Sequence, residues 1–65
     1  MKQYILYYNN EAIFSNKYFN ACIGQAKFYY RHRQMTESQY FIEEKENEQL
    51  IQRYYISENT LKNER

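Results

Sequence analysis

The sequence has no proline, tryptophan, valine or aspartate, and only one glycine, one cysteine and one histidine among its 65 residues. Each shortage removes a class of structure or chemistry. Without proline there is no polyproline segment or stiff linker, and the lone Gly24 leaves no glycine-rich loop to cradle a phosphate. Cys22 has no second cysteine to pair with, and one Cys with His32 is not a ligand set for zinc. A free thiol and the lack of an N-x-S/T sequon fit a reducing, cytoplasmic setting. The apolar run that follows Met1-Lys2 ends at Asn9-Asn10, which is too brief for a signal core or a membrane span, so no membrane association is expected.

What is present is aromatic and charged. Nine residues are Tyr and four are Phe, and this aromatic content opposes the disorder that a mean hydropathy of −1.06 would otherwise suggest. A chain of this length holds one core, which by itself seldom supplies more than roughly 3–5 kcal/mol. Residues with A- and T-rich codons dominate, a composition common among small phage and mobile-element accessory proteins.

The net charge is only +1, less than a dedicated nucleic-acid binder usually carries. Its distribution is uneven. Residues 1–35 hold five cations against Glu11, a net of +4, whereas residues 36–65 hold seven Glu against four cations, a net of −3.

Residues 3–8 and 11–15 are β-branched and aromatic on either side of Asn9-Asn10, a pair that tolerates positive φ, so they read as a β-hairpin. With that turn, Tyr8 faces Glu11, Leu6 faces Ile13 and Ile5 faces Phe14. One face then holds Tyr4, Leu6, Tyr8 and Ile13, and the other holds Ile5, Tyr7, Ala12 and Phe14. From an N-cap at Ser15 or Asn16, residues 16–34 follow helical period. Tyr18, Phe19, Cys22, Ile23, Ala26, Tyr29 and Tyr30 form the apolar stripe, and Phe28 stands out on the polar side among cations.

Beyond Met35 two readings compete. Thr36 with Gln39 resembles a capping box for a second helix over 36–56. The preferred reading is a second hairpin, with strands over 39–43 and 50–57 and a solvated turn over 44–48. Residues 58–65 form a polar tail that frays or makes one helical turn. The expected fold is therefore α+β, an antiparallel ββαββ sheet of two hairpins in one domain over 1–57, with one amphipathic helix packed on one face.

No pair of residues offers a nucleophile with its base, since His32 lies ten residues on from Cys22 and about 80° away around the helix. The protein is thus expected to be a binding protein rather than an enzyme, with no catalytic residue, cofactor or metal. The leading reading is a protein that binds and modulates or inhibits a host protein, with anti-CRISPR-like inhibitors as one subclass. Its contact residues would be Tyr4, Tyr8, Tyr54 and Tyr55 on the uncovered sheet face, with Phe28 and an acidic tip formed by Glu43, Glu44, Glu46 and Glu48. The alternative is a small nucleic-acid-binding regulator that uses Lys17, Lys27, Arg31, His32 and Arg33 on phosphates while Phe28 stacks on a base. A homodimer is a third expectation, because so small a core is marginal.

Overall fold

A computed structural model describes residues 1–63. In chain order the elements are β1 (Lys2–Tyr8), β2 (Glu11–Asn16), α1 (Phe19–His32), β3 (Tyr40–Glu46), β4 (Gln49–Ile56) and α2 (Glu58–Lys62). All neighbouring strands are antiparallel, in the order β2-β1-β3-β4, so α1 carries the chain across β1 from one side of the sheet to the other. The fold is the expected small α+β arrangement of two hairpins and one long helix, with a short second helix added.

Both hairpins turn on two residues held at positive φ, Asn9 and Asn10 at 54° and 64°, and Asn47 and Glu48 at 53° and 68°. Two left-handed residues give a turn whose twist matches that of the strands, and asparagine enters this region at little cost. The second turn is thus tighter than the expected 44–48 loop, and β3 continues to Glu46 while β4 begins at Gln49.

Register corrects the first hairpin. Tyr8 pairs with Glu11 as expected, but Leu6 pairs with Phe14 and Ile5 with Ser15. A bulge absorbs Ile13 as an extra residue, which moves Phe14 to the Leu6 face. A second bulge at Ile51 separates the Glu44–Gln52 pair from the Lys45–Leu50 pair. Both edge strands are therefore kinked, which discourages edge-to-edge pairing between chains.

The core lies between the sheet and the helices, where Leu6, Tyr40, Ile42 and Ile56 meet Cys22 and Ala26 of α1 and Leu61 of α2. The predicted helical stripe holds. Phe19, Ile23, Tyr29 and Tyr30 flank the core half-buried, and only Tyr18 is left out in solvent. The helix starts later than Ser15 or Asn16 because β2 runs to Asn16. The Asn16 side chain instead accepts a hydrogen bond from the Tyr18 N–H at 2.9 Å, which shapes the link. At the other end Gln34, at φ 55°, turns the chain out of the helix.

Gly24 sits on the outer side of α1, where a Cβ would meet nothing within 4 Å beyond the helix's own backbone and the adjoining residues. An exposed mid-helix glycine costs backbone entropy without any compensating contact. Gly24→Ala is therefore expected to stabilise the protein by about 0.5–1 kcal/mol, read as a higher urea midpoint.

Tyr40 is fully buried and its hydroxyl donates to the Met35 carbonyl at 2.7 Å. Burial, followed by the neighbouring Tyr8, Tyr29 and Tyr30 rings, pushes its pKa up to about 12. The folded state resists forming this phenolate, whereas the unfolded chain ionises near the ordinary tyrosine value. The stability tied to Tyr40 is thus intact below about pH 10 and lost as pH rises to about 12. A series of urea midpoints across that window should fall steeply for the native protein and less steeply for Tyr40→Phe.

Candidate recognition surface

Directly opposed residues of antiparallel strands project from the same side of a sheet. The pairs Ala12–Tyr7, Tyr7–Phe41 and Phe41–Tyr55 therefore set one row across all four strands, on the side away from both helices. The next row holds Ser15, Ile5, Glu43 and Arg53, and the row beyond it holds Gln3, Lys45 and Leu50. No residue of these rows belongs to the helix-side core.

The rings of this face form a ladder. Tyr7 and Phe41 lie 4.8 Å apart between centroids and 7° from parallel, and Tyr55 follows Phe41 at 5.5 Å and 47°. Rings lying flat on the sheet would not fit at the spacing between strands. Parallel planes at 4.8 Å between centroids overlap in a stack, so Tyr7 and Phe41 pack ring on ring across β1 and β3.

Arg53 ties the ladder to the second row. Its guanidinium lies 4.7 Å from the Phe41 ring centre, donates to Glu43 at 2.8 Å and reaches the Tyr55 hydroxyl at 3.3 Å. Only 7% of Phe41 and of Glu43 remains exposed, against 58% of Tyr55. The Glu43 carboxylate is thus buried while the Arg53 side chain stays 42% exposed, and the exposed part of the ladder is held on a packed base. Burial first, then the hydrogen bond and negative charge of Glu43, raise the Tyr7 phenol above its ordinary pKa. The Tyr55 and Arg53 hydroxyl–guanidinium bond, followed by Glu43, raises the Arg53 pKa in turn. At one end of β4 the exposed Leu50 and Ile51 extend the apolar area.

The expected contact residues are distributed differently. Tyr55 lies on the open face, but Tyr4, Tyr8 and Tyr54 lie on the helix side, since they share strand parity with Leu6 and Ile56. Tyr4 and Tyr54 pack edge-on against Phe19 at 5.6 and 5.0 Å, and Tyr8 packs against Tyr40 at 4.8 Å. Tyr7, Phe41 and Arg53 are the members of the face that the sequence reading left out.

The acidic tip is not a single patch either, because β3 runs through it and alternation sends its members to opposite sides. Glu43 joins Arg53 on the open face. Glu44 points to the helix side, where Tyr54 donates to it at 2.7 Å and Lys2 lies at 3.0 Å, and these bonds lower its pKa. Glu46 stands opposite Lys2 and Glu48 lies in the turn.

The basic set divides as well. Phe28 is exposed as expected, with His32 at 5.1 Å and the Arg33 guanidinium at 6.0 Å from its ring centre. Arg31, however, donates to the Lys62 carbonyl at 3.1 Å and so ties α1 to α2. Lys27 stays on α1, while Lys17 precedes the helix and lies over the Tyr18 ring at 5.4 Å. Lys17 and Arg33 thus flank opposite ends of the 14-residue α1, which spans roughly 21 Å. Cys22 is buried, and burial pushes its thiol pKa up, away from the reactive thiolate.

Among the described residues no cluster of three or more His, Cys, Asp or Glu is arranged to hold a metal ion, and no helix is long and apolar enough to cross a membrane. Comparison with known proteins finds no match among family models, curated proteins or solved structures.

Proposed function

We propose that this chain is a non-catalytic binding protein that engages a protein partner through its uncovered sheet face, with the Tyr7–Phe41–Tyr55 ladder as the anchor. The observation that carries this reading is the packed ring ladder on the side of the sheet that neither helix covers. Recognition of unpaired bases relies on exposed ring faces, whereas here the Phe41 ring is enclosed by Tyr7, Tyr55 and Arg53 and is 7% exposed. A ladder held on a packed base suits the apolar and aromatic side chains of a protein, at low entropic cost because the rings are already ordered.

On this reading the partner is a host protein in the cytoplasm, and the small, A- and T-codon-rich chain fits a phage or mobile-element accessory protein that modulates or inhibits it. Anti-CRISPR-like inhibition is one subclass. The second reading, a nucleic-acid contact, is favoured by the exposed Phe28 with His32 and Arg33 beside it at the end of α1.

Capture from a bacterial lysate, with and without nuclease, separates the two when three proteins are compared. The native chain and a Phe28→Ala, Arg33→Glu variant should retain the same nuclease-resistant protein, and a Leu50→Lys, Tyr55→Lys variant should lose it. Retention by the sheet-face variant and loss by the helix variant would overturn the proposal.

A further inference from the structure

The open face ends in a concavity of about 750 Å³, lined by Lys2, Lys17 and Lys45 together with Gln3, Ile5 and Glu48. The three lysines come from separate parts of the chain: the start of β1, the β2–α1 link and the end of β3. Lys2 is paired with Glu44 on the helix side. Lys45 has the neutral Gln3 and Leu50 as its cross-strand neighbours, and neither Lys45 nor Lys17 makes an ion pair among the described residues. Against these cations the lining offers one carboxylate, Glu48. The fold thus brings Lys17 and Lys45 to one end of the face with no ion pair among the described residues, while Lys2 is held by Glu44.

The concavity is continuous with the ladder. Gln3 and Ile5 line it and occupy the same side of β1 as Tyr7. From the Gln3–Lys45 row to the Tyr7–Phe41 row is four residues along the strand, roughly 13 Å.

We infer that the partner presents an acidic segment, with carboxylates entering the lysine concavity and an apolar or aromatic side chain lying against the ring ladder about four extended residues away. This rests on the protein-binding reading of the face and names the chemistry of what binds there. Lysine ammonium groups attract phosphate as readily as carboxylate, so the charge alone does not choose between macromolecules. The apolar surface beside it does. Ile5 lies in the row between concavity and ladder, the Phe41 ring is enclosed by its neighbours, and Leu50 and Ile51 are exposed at the end of β4, a surface that suits apolar side chains better than a nucleic-acid strand.

The test uses the whole chain against a displayed library of random 12-residue peptides, with a fluorescent 12-nucleotide single-stranded DNA as a second probe. The native protein should enrich peptides that combine Asp or Glu with an apolar residue about four positions away. A Lys17→Glu, Lys45→Glu variant, its fold checked by circular dichroism, should bind the best of these at least tenfold more weakly at low salt, and added NaCl should weaken the native complex. Lys17→Gln, Lys45→Gln serves if the reversed charges prevent folding. Enriched peptides without acidic residues, bound equally by both proteins, would overturn the acidic partner and leave the sheet-face reading standing. Failure to enrich any peptide, with or without binding of the DNA, would overturn both.

Discussion

Leu61→Ala should lower the unfolding free energy by about 2–4 kcal/mol, measured from urea midpoints at 25 °C, and leave a protein that is largely unfolded under mild denaturing conditions. Leu61 is 4% exposed and packs within the core group that includes Leu6, Cys22, Ala26, Tyr40, Ile42 and Ile56. A core of this size is worth roughly 3–5 kcal/mol in total, so losing three carbons at its edge consumes most of the margin. The five-residue α2 that carries Leu61 cannot persist by helical propensity alone. It is fixed instead by specific bonds. Ser57 caps it by accepting from the Thr60 N–H at 3.2 Å, Tyr30 donates to Glu58 at 3.0 Å, and Arg31 holds the Lys62 carbonyl. Asn59→Ala, on the exposed side of the same helix, should change stability by less than about 0.5 kcal/mol. Equal and small effects at both positions would show that α2 is peripheral.

That helix also marks where the sequence could and could not be read. Residues 58–65 read as a polar tail that frays or makes one helical turn, and the turn is what forms, but one leucine in a charged stretch carries too little weight to place it in the core. The domain in fact extends through Lys62, and residues 64 and 65 lie outside the described part. The signals available were local ones, a serine three residues before a threonine and a solitary leucine placed to reach back into the core. The α1 stripe was legible because a run of aromatics, Cys22 and Ala26 repeats with helical period against polar residues. The Asn9-Asn10 turn was legible because asparagine accepts the left-handed region.

The bulges were not legible. Ile13 and Ile51 are ordinary strand residues, and nothing in their chemistry says that a partner strand skips them. A one-residue slip moves every later side chain to the other face, which is why Phe14 lies with Leu6 rather than with Ile5. The four acids around the second turn are hard to place from sequence for a related reason. A charge run resembles a solvated loop until it is known that Asn47 and Glu48 alone make the turn, after which alternation separates Glu43 from Glu44. With nearly every strand position occupied by an aromatic or aliphatic residue, composition could show that some tyrosines must be exposed but not which. The choice of Tyr7 and Tyr55 over Tyr4, Tyr8 and Tyr54 is made by strand parity relative to Leu6 and Ile56.

The largest functional effect should fall on the ladder. Once a partner is in hand, Tyr7→Ala is expected to weaken binding about thirtyfold and Tyr55→Ala about tenfold, the range of an aromatic anchor at the centre of an interface. Both rings pack against Phe41, from opposite sides, so removing either exposes it and loosens the other. The double variant should therefore lose less than the product of the two single losses. Tyr7→Phe keeps the stack and removes only the hydroxyl, and it should bind within about threefold of the native chain if packed rings are what the partner reads. Phe28→Ala, on the far side of the molecule, should have a similarly small effect. Titration calorimetry with each variant, after its circular dichroism has been matched to the native spectrum, gives these ratios directly. Native-like affinity for Tyr7→Ala and Tyr55→Ala together with a large loss for Phe28→Ala would move the binding site from the sheet to the end of α1.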